Sequence, residues 1–203
     1  RHWQKVLQRP LPVDGIGLDK VLWELGEQVI PNGSAIPLPG FTSFITTGAT
    51  NAGVLAALAA MVAAPQRIGL TAFQELEELS LDWLVALFRL PAEMKGIYSS
   101  GGSTANLLAL GAARQQAFER RGHDCGRDGV PAGGRLFATA ASHRTIHRAA
   151  AVLGLGREAV ITVDCDAQGR MCPRALARQI EGVVSAGLVP VAVVANAGTT
   201  ATG

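Results

Sequence analysis

Two stretches of this chain carry residue types that do chemistry, and both stand where an extended run turns into a helix. The first is "YSSGGSTANLLAL", from Tyr98 to Leu110. A helix start presents up to four unpaired backbone N–H groups and about half a positive charge, which suits an anion and phosphate above all. Gly101 and Gly102 let backbone come close to such a group. Ser103 or Thr104 can cap the helix or offer a hydroxyl. A plain capped turn uses the same residues, so this stretch alone leaves both readings open. There is no GK[ST] and no G-x-G-x-x-G here, which argues against the two common nucleotide loops and toward a single terminal phosphate.

The second stretch is "ASHRTIHRAA". His143 falls at the turn and His147 lies four residues on, one helical turn away. Three readings of His143 stand side by side: a metal pair with His147, for which no third ligand is evident, a capping or surface imidazole, and a ring stacked on a flat cofactor. His147 reads as structural.

Elements that could position these residues follow from the hydrophobic pattern. "DKVLWELGEQVI" (19–30) has the spacing of a short amphipathic helix. A turn-rich segment through "FITTGAT" leads to the apolar run 52–64, which reads as a buried or interface helix closed by Pro65. That run is shorter than the roughly 18–20 residues a membrane span needs. Residues 72–89 repeat apolar positions every three to four residues, with Glu75, Glu77 and Glu78 as a solvated face near the N-terminal end. From residue 96 the pattern changes to β-α-β-α-β-α-β. Its strands are "GIYSS", 135–141, 159–165 and 189–198. The first helix carries Leu107, Leu108, Gly111 and Ala112 as a stripe, and the last begins at Pro173. Apolar strands with little alternation predict a mostly parallel sheet buried on both faces, with ligands beyond the carboxyl ends of the strands. The predicted organisation is an N-terminal extended and helical segment, 1–50, and the first part of a large α/β domain, 51–203.

Composition narrows the function classes. Apolar residues make up 48% of the 203, enough for a sizeable core, and 18 Lys+Arg against 16 Asp+Glu leave a net charge of +2 with no basic patch. No nucleic-acid partner is expected. Cys125, Cys165 and Cys172 have no metal spacing and read as reduced thiols of a cytoplasmic protein. No apolar leader is visible in "RHWQKVLQRPLP". The chain opens on Arg1 and closes at Gly203 just after a strand-like run, which reads as a segment of something longer.

Taken together, the motifs resemble the group II pyridoxal-phosphate-dependent decarboxylases, the aromatic amino acid and glutamate decarboxylase group. "YSSGGSTANLLAL" is similar to that family's phosphate cup and "ELEELSLDWL" to its "ELE…DWL" helix. "ASHRTIHRAAAVLGLG" is similar to its "SxHxSxxKAAxxLG" block, and "GLVPVAVVANAGTTATG" to the strand and "GTT" turn that follow. The resemblance covers roughly residues 35–203. It implies an aspartate-aminotransferase-like fold (fold type I of the pyridoxal phosphate enzymes) and pyridoxal 5′-phosphate as cofactor. It implies a homodimer, for which Leu11, Val13, Leu22, Trp23 and Leu25 are the candidate contacts, packing within the same chain being the alternative for them. Gly101, Gly102 and Ser103 would hold the phosphate, and His143 would stack on the pyridine ring and help place the substrate carboxylate. Thr200 would lie near the phenolic oxygen, and Thr47 would touch an amino acid substrate, of aromatic type. The reaction implied is loss of carbon dioxide, with the ring as electron sink. The family's cofactor-anchoring lysine and pyridinium-pairing aspartate would follow Gly203, because Lys5, Lys20 and Lys95 have the wrong context. This segment by itself is therefore expected to be inactive. Another enzyme of the same fold (an aminotransferase or a cysteine desulfurase) and a non-catalytic binding or dimer-forming relic are the alternatives.

Overall fold

The computed structural model describes residues 2–36, 38–42, 49–65 and 71–199. The chain divides into two compact units, Arg1–Thr71 and Ala72–Gly203.

In the first unit, α1 (His2–Leu7) is followed by α2 (Leu18–Glu24), which continues into a wider π-type turn, Leu25–Val29. The loop between α1 and α2 is tied down by a two-pronged ion pair. Arg9 Nη1 meets Glu24 Oε1, and Arg9 Nη2 donates to Glu24 Oε2 at 2.7 Å. Glu24 is buried, and hydrogen bonding to the Arg9 guanidinium holds its carboxyl below the usual range. Helix α3 (Asn51–Ala63) starts where Thr50 Oγ1 accepts from the Gly53 amide at 3.1 Å and ends at Ala64, whose φ of 44° leaves the helical region. The expected helix is present, but burial is not what the chain provides for it. Val54, Leu55, Leu58, Met61 and Val62 are all exposed; a helix apolar around its whole circumference needs cover, so of the two expectations the interface helix is the one that stands.

The second unit begins with α4 (Ala72–Leu87), which stops before Pro91. Residues 96–100 form no strand, which corrects the expectation of a strand at "GIYSS". A parallel strand exists only through ladder bonds to a neighbour, and these residues pack on α4 instead. Tyr98 shares a 3.0 Å hydrogen bond with Ser80, and Gly96 lies so close to Leu81 that a Cβ there would come within 2.7 Å of it.

Next come α5 (Gly102–Glu119), the one-turn α6 (Cys125–Asp128), β1 (Gly134–Thr139), α7 (Thr145–Val152), β2 (Val160–Val163), α8 (Pro173–Ser185) and β3 (Val189–Val193). The sheet is parallel in the order β2-β1-β3. Leu136 pairs with Val160 on one side and Ala192 on the other, after a register shift between Arg135 and Leu136. The chain passes from β1 to β2 on one flank, then crosses to β3 on the opposite flank. One handedness of crossover therefore requires α7 and α8 on opposite faces.

The core confirms that layering. Leu136 and Ala138 point toward Leu110, Ile146, Ala149 and Ala150 of α5 and α7. Phe137, between them in sequence, points the other way, toward Val163, Ala175 and Val183. Successive strand residues alternate faces, so the unbroken apolar run of β1 is what a central strand covered on both sides needs. Phe137 and Leu136 are fully enclosed, each worth roughly 1.5–3 kcal/mol of burial. On α5 the buried positions are Leu110 and Phe118, with Leu107 packed beside them, whereas Leu108 is exposed, a rotation of the expected stripe. Gly134 has the tightest approach: a Cβ there would meet Leu155 at 2.5 Å and Phe118 at 3.3 Å.

Candidate active site

The site is built at the start of α5. Gly101 is its N-cap, with φ 154° and ψ 172°, a conformation essentially restricted to glycine. The first helical bond runs from the Ala105 amide to the Gly101 carbonyl at 3.0 Å, which places the Gly102, Ser103 and Thr104 amides ahead of the intrahelical ladder. No side chain caps this end. The nearby hydroxyls are engaged sideways instead. Ser99 Oγ donates to the Gly101 carbonyl at 3.1 Å, and Ser100 Oγ pairs with Thr104 Oγ1 at 3.0 Å. A Cβ added at Gly101 or Gly102 would meet nothing within 4 Å, so the backbone here is open to a ligand rather than packed against protein.

His143 follows β1 at the carboxyl edge of the sheet and shares a cleft of about 350 Å³ with Gly102, Ser103, Asn106 and Thr145. That volume lies within the range of small-molecule sites, roughly 300–1,000 Å³. The imidazole is held from behind. Its Nδ1 is 2.9 Å from Thr145 Oγ1 and accepts from the Thr145 amide at 3.3 Å. Asn106 Nδ2 in turn donates to Thr145 Oγ1 at 2.9 Å. Thr145 itself is buried, whereas His143 is exposed to the cleft.

A second polar knot joins the ends of β1 and β3. Asn196 Nδ2 donates to Ser142 Oγ at 2.8 Å and to Thr139 Oγ1 at 3.3 Å, and those two hydroxyls pair at 3.2 Å. It borders a cleft of about 400 Å³ lined in part by Gln168, Arg170, Asn196 and Thr199.

The expected residues Gly101, Gly102, Ser103 and His143 therefore converge. Thr47 and Thr200 lie outside the described residues. His147 is exposed on α7, and among the described residues no group of three His, Cys, Asp or Glu side chains is arranged to hold a metal ion. Lys95 is exposed and pairs with Asp82 at 3.4 Å. Asn106, Thr145 and Asn196 were not anticipated. Two of them had a signal: Asn106 is three residues after Ser103, on the same helical face, and Thr145 is two residues after His143.

The open helix start and the flat ring beside it fit a phosphorylated aromatic cofactor, and residues 17–203 match the pyridoxal-dependent decarboxylase conserved domain. The chain belongs to that family. An L-2,4-diaminobutyrate decarboxylase from Rhizobium meliloti is 34% identical over 197 residues, covering 94% of this chain and 37% of that protein. Tryptophan decarboxylase 2 of Oryza sativa subsp. japonica is 26% identical over 212 residues, covering 98% of this chain and 41% of that protein. The crystal structure of Oryza sativa TDC with PLP and tryptamine superposes with a TM-score of 0.84 at 26% identity, covering 98% of this chain and 43% of that one. The chain thus spans about two fifths of the length of the relatives it matches. The fold is that of the pyridoxal phosphate decarboxylases, and the cofactor the family indicates is pyridoxal 5′-phosphate.

Proposed function

We propose that the full-length native protein carrying this chain is a pyridoxal-phosphate-dependent amino acid decarboxylase, and that the cleft at the start of α5 is its cofactor grip. The observation that carries this reading is the uncapped α5 N-terminus sharing one cleft with His143. When bound, pyridoxal phosphate supplies an electron sink for cleavage of the bond to the substrate's carboxylate.

The residues of this chain do the binding and orienting. Gly101 and Gly102 leave room for backbone amides to meet the phosphate, and the Ser103 hydroxyl adds a donor. The helix charge favours a dianion by about 0.3–1 kcal/mol, more when partly buried. His143 offers a flat face to the cofactor ring and a donor toward a substrate carboxylate. Thr200 is assigned to the cofactor's phenolic side and Thr47 to the substrate. The substrate is a small-molecule amino acid, with an aromatic side chain supported by the tryptophan decarboxylase relative. A homodimer using the exposed Leu11, Val13, Leu22, Trp23 and Leu25 belongs to the same reading, as does a cytoplasmic location for a chain whose cysteines are free. No helix among the described residues is long and apolar enough to cross a membrane.

The test is carbon dioxide release by the full-length native protein with pyridoxal phosphate, across aromatic, acidic and diamino substrates. Release from aromatic amino acids above the others is expected. Release only from the other classes overturns the substrate assignment, and no release from any class overturns the activity.

A further inference from the structure

We propose that Thr145 and Asn106 are positioning residues that hold His143 as a single neutral tautomer, protonated at Nε2, so that the ring meets its ligand as a hydrogen-bond donor. The argument rests on directionality. A backbone N–H can only donate, and the Thr145 amide points at His143 Nδ1 across 3.3 Å, so Nδ1 presents a lone pair and the proton of the neutral ring sits on Nε2. The Thr145 hydroxyl reinforces this. Asn106 Nδ2 donates to Thr145 Oγ1 at 2.9 Å, occupying an oxygen lone pair and leaving the hydroxyl hydrogen to run on to Nδ1, also 2.9 Å away. Proton direction therefore passes one way, from the Asn106 amide through the Thr145 hydroxyl to the imidazole.

Burial makes the arrangement selective. Thr145 is 4% exposed, and a buried hydroxyl whose hydrogen has no acceptor costs about 1–3 kcal/mol. The alternative tautomer would set an Nδ1–H against the Thr145 N–H, donor against donor. It would also oblige Thr145 Oγ1 to accept twice with its own hydrogen unplaced. What remains for the cleft is an Nε2–H donor, matched to an anionic oxygen such as a carboxylate. This deepens the cofactor reading, resting on it for what the donor meets but not for the tautomer itself.

The test is ¹⁵N-histidine NMR of the full-length native protein without cofactor, His143 being identified by loss of its signals in His143→Gln. Expected is a pyridine-type Nδ1 and a pyrrole-type Nε2 in the neutral ring. Thr145→Val removes the hydroxyl and is expected to move both signals toward tautomer averaging, with Thr145→Ser restoring them. Asn106→Asp turns a donor into an acceptor, draws the Thr145 hydroxyl hydrogen away from Nδ1 and is expected to produce the same averaging, which keeps the test open should Thr145→Val fail to fold. A protonated Nδ1 in the unsubstituted protein, or an Nε2–H preference unchanged in every folded variant, overturns the proposal. Pyridoxal phosphate titration of the same samples is read separately, so loss of cofactor binding with the tautomer intact counts against the functional reading and not against this one.

Discussion

Asn106 on α5 and Thr145 on α7 are 39 residues apart in sequence and joined by a 2.9 Å hydrogen bond. That bond links the helix that would hold a phosphate to the helix behind the imidazole. The two halves of the cleft are thus one unit, and displacement of either helix is felt by the other.

The α5 start should be sensitive to charge. Ser103→Asp places a carboxylate beside amides and a helix end that favour an anion, and the affinity of the native protein for pyridoxal phosphate is expected to fall by at least about tenfold. Absorbance titration checks this, with Ser103→Ala expected to show a smaller loss.

Gly101 should be irreplaceable for a backbone reason rather than a packing one. A Cβ there meets nothing within 4 Å, but φ 154° with ψ 172° is strained for any other residue. Gly101→Ala is expected to cost about 1–3 kcal/mol, measured by urea denaturation.

The centre of β1 should carry more stability than any surface position. Phe137→Ala removes a fully enclosed ring from the α8 side of the sheet and is expected to destabilise by about 3–5 kcal/mol. A drop in the urea midpoint with little change in the slope is the signature.

Acid should weaken the turns. The Arg9 guanidinium lowers the Glu24 carboxyl. The Gln115 side-chain amide, followed by the Arg127 amide, lowers Asp124. The Arg170 amide and guanidinium lower Asp166. Each carboxylate is depressed when folded, so its contribution is complete above the unfolded values, near 3.9 for Asp and 4.3 for Glu, and is lost as pH falls through the lower folded ones. Thermal melts should be flat from about pH 7 to 5 and drop below about pH 4. Asp124→Asn should make that drop shallower.

Much of this architecture could be read from residue order because local and tertiary signals agree. The run "RLFATAA" is apolar at consecutive positions because β1 is buried on both faces, and Pro173 opens α8 where its missing N–H is harmless. "GIYSS" misled because strand propensity says nothing about whether a neighbour exists to pair with, and α4 supplied the contact instead. The α5 stripe came out rotated because Leu107, Leu108 and Leu110 are equal in composition, and only the position of β1 decides which faces inward. Gly101, Gly102, Ser103 and His143 stood out as residue types at turns. Asn106 and Thr145 carried only their spacing from Ser103 and His143 as a signal, since the bond that joins them is a contact between two helices.

The most direct measurement is a crystal structure of the full-length native protein with pyridoxal phosphate. The account predicts the phosphate at the N-terminus of α5, within hydrogen-bond distance of the Ser103 hydroxyl and a first-turn amide, with the pyridine ring face to face with His143. A phosphate seated elsewhere, or a ring that leaves His143 without contact, would contradict it.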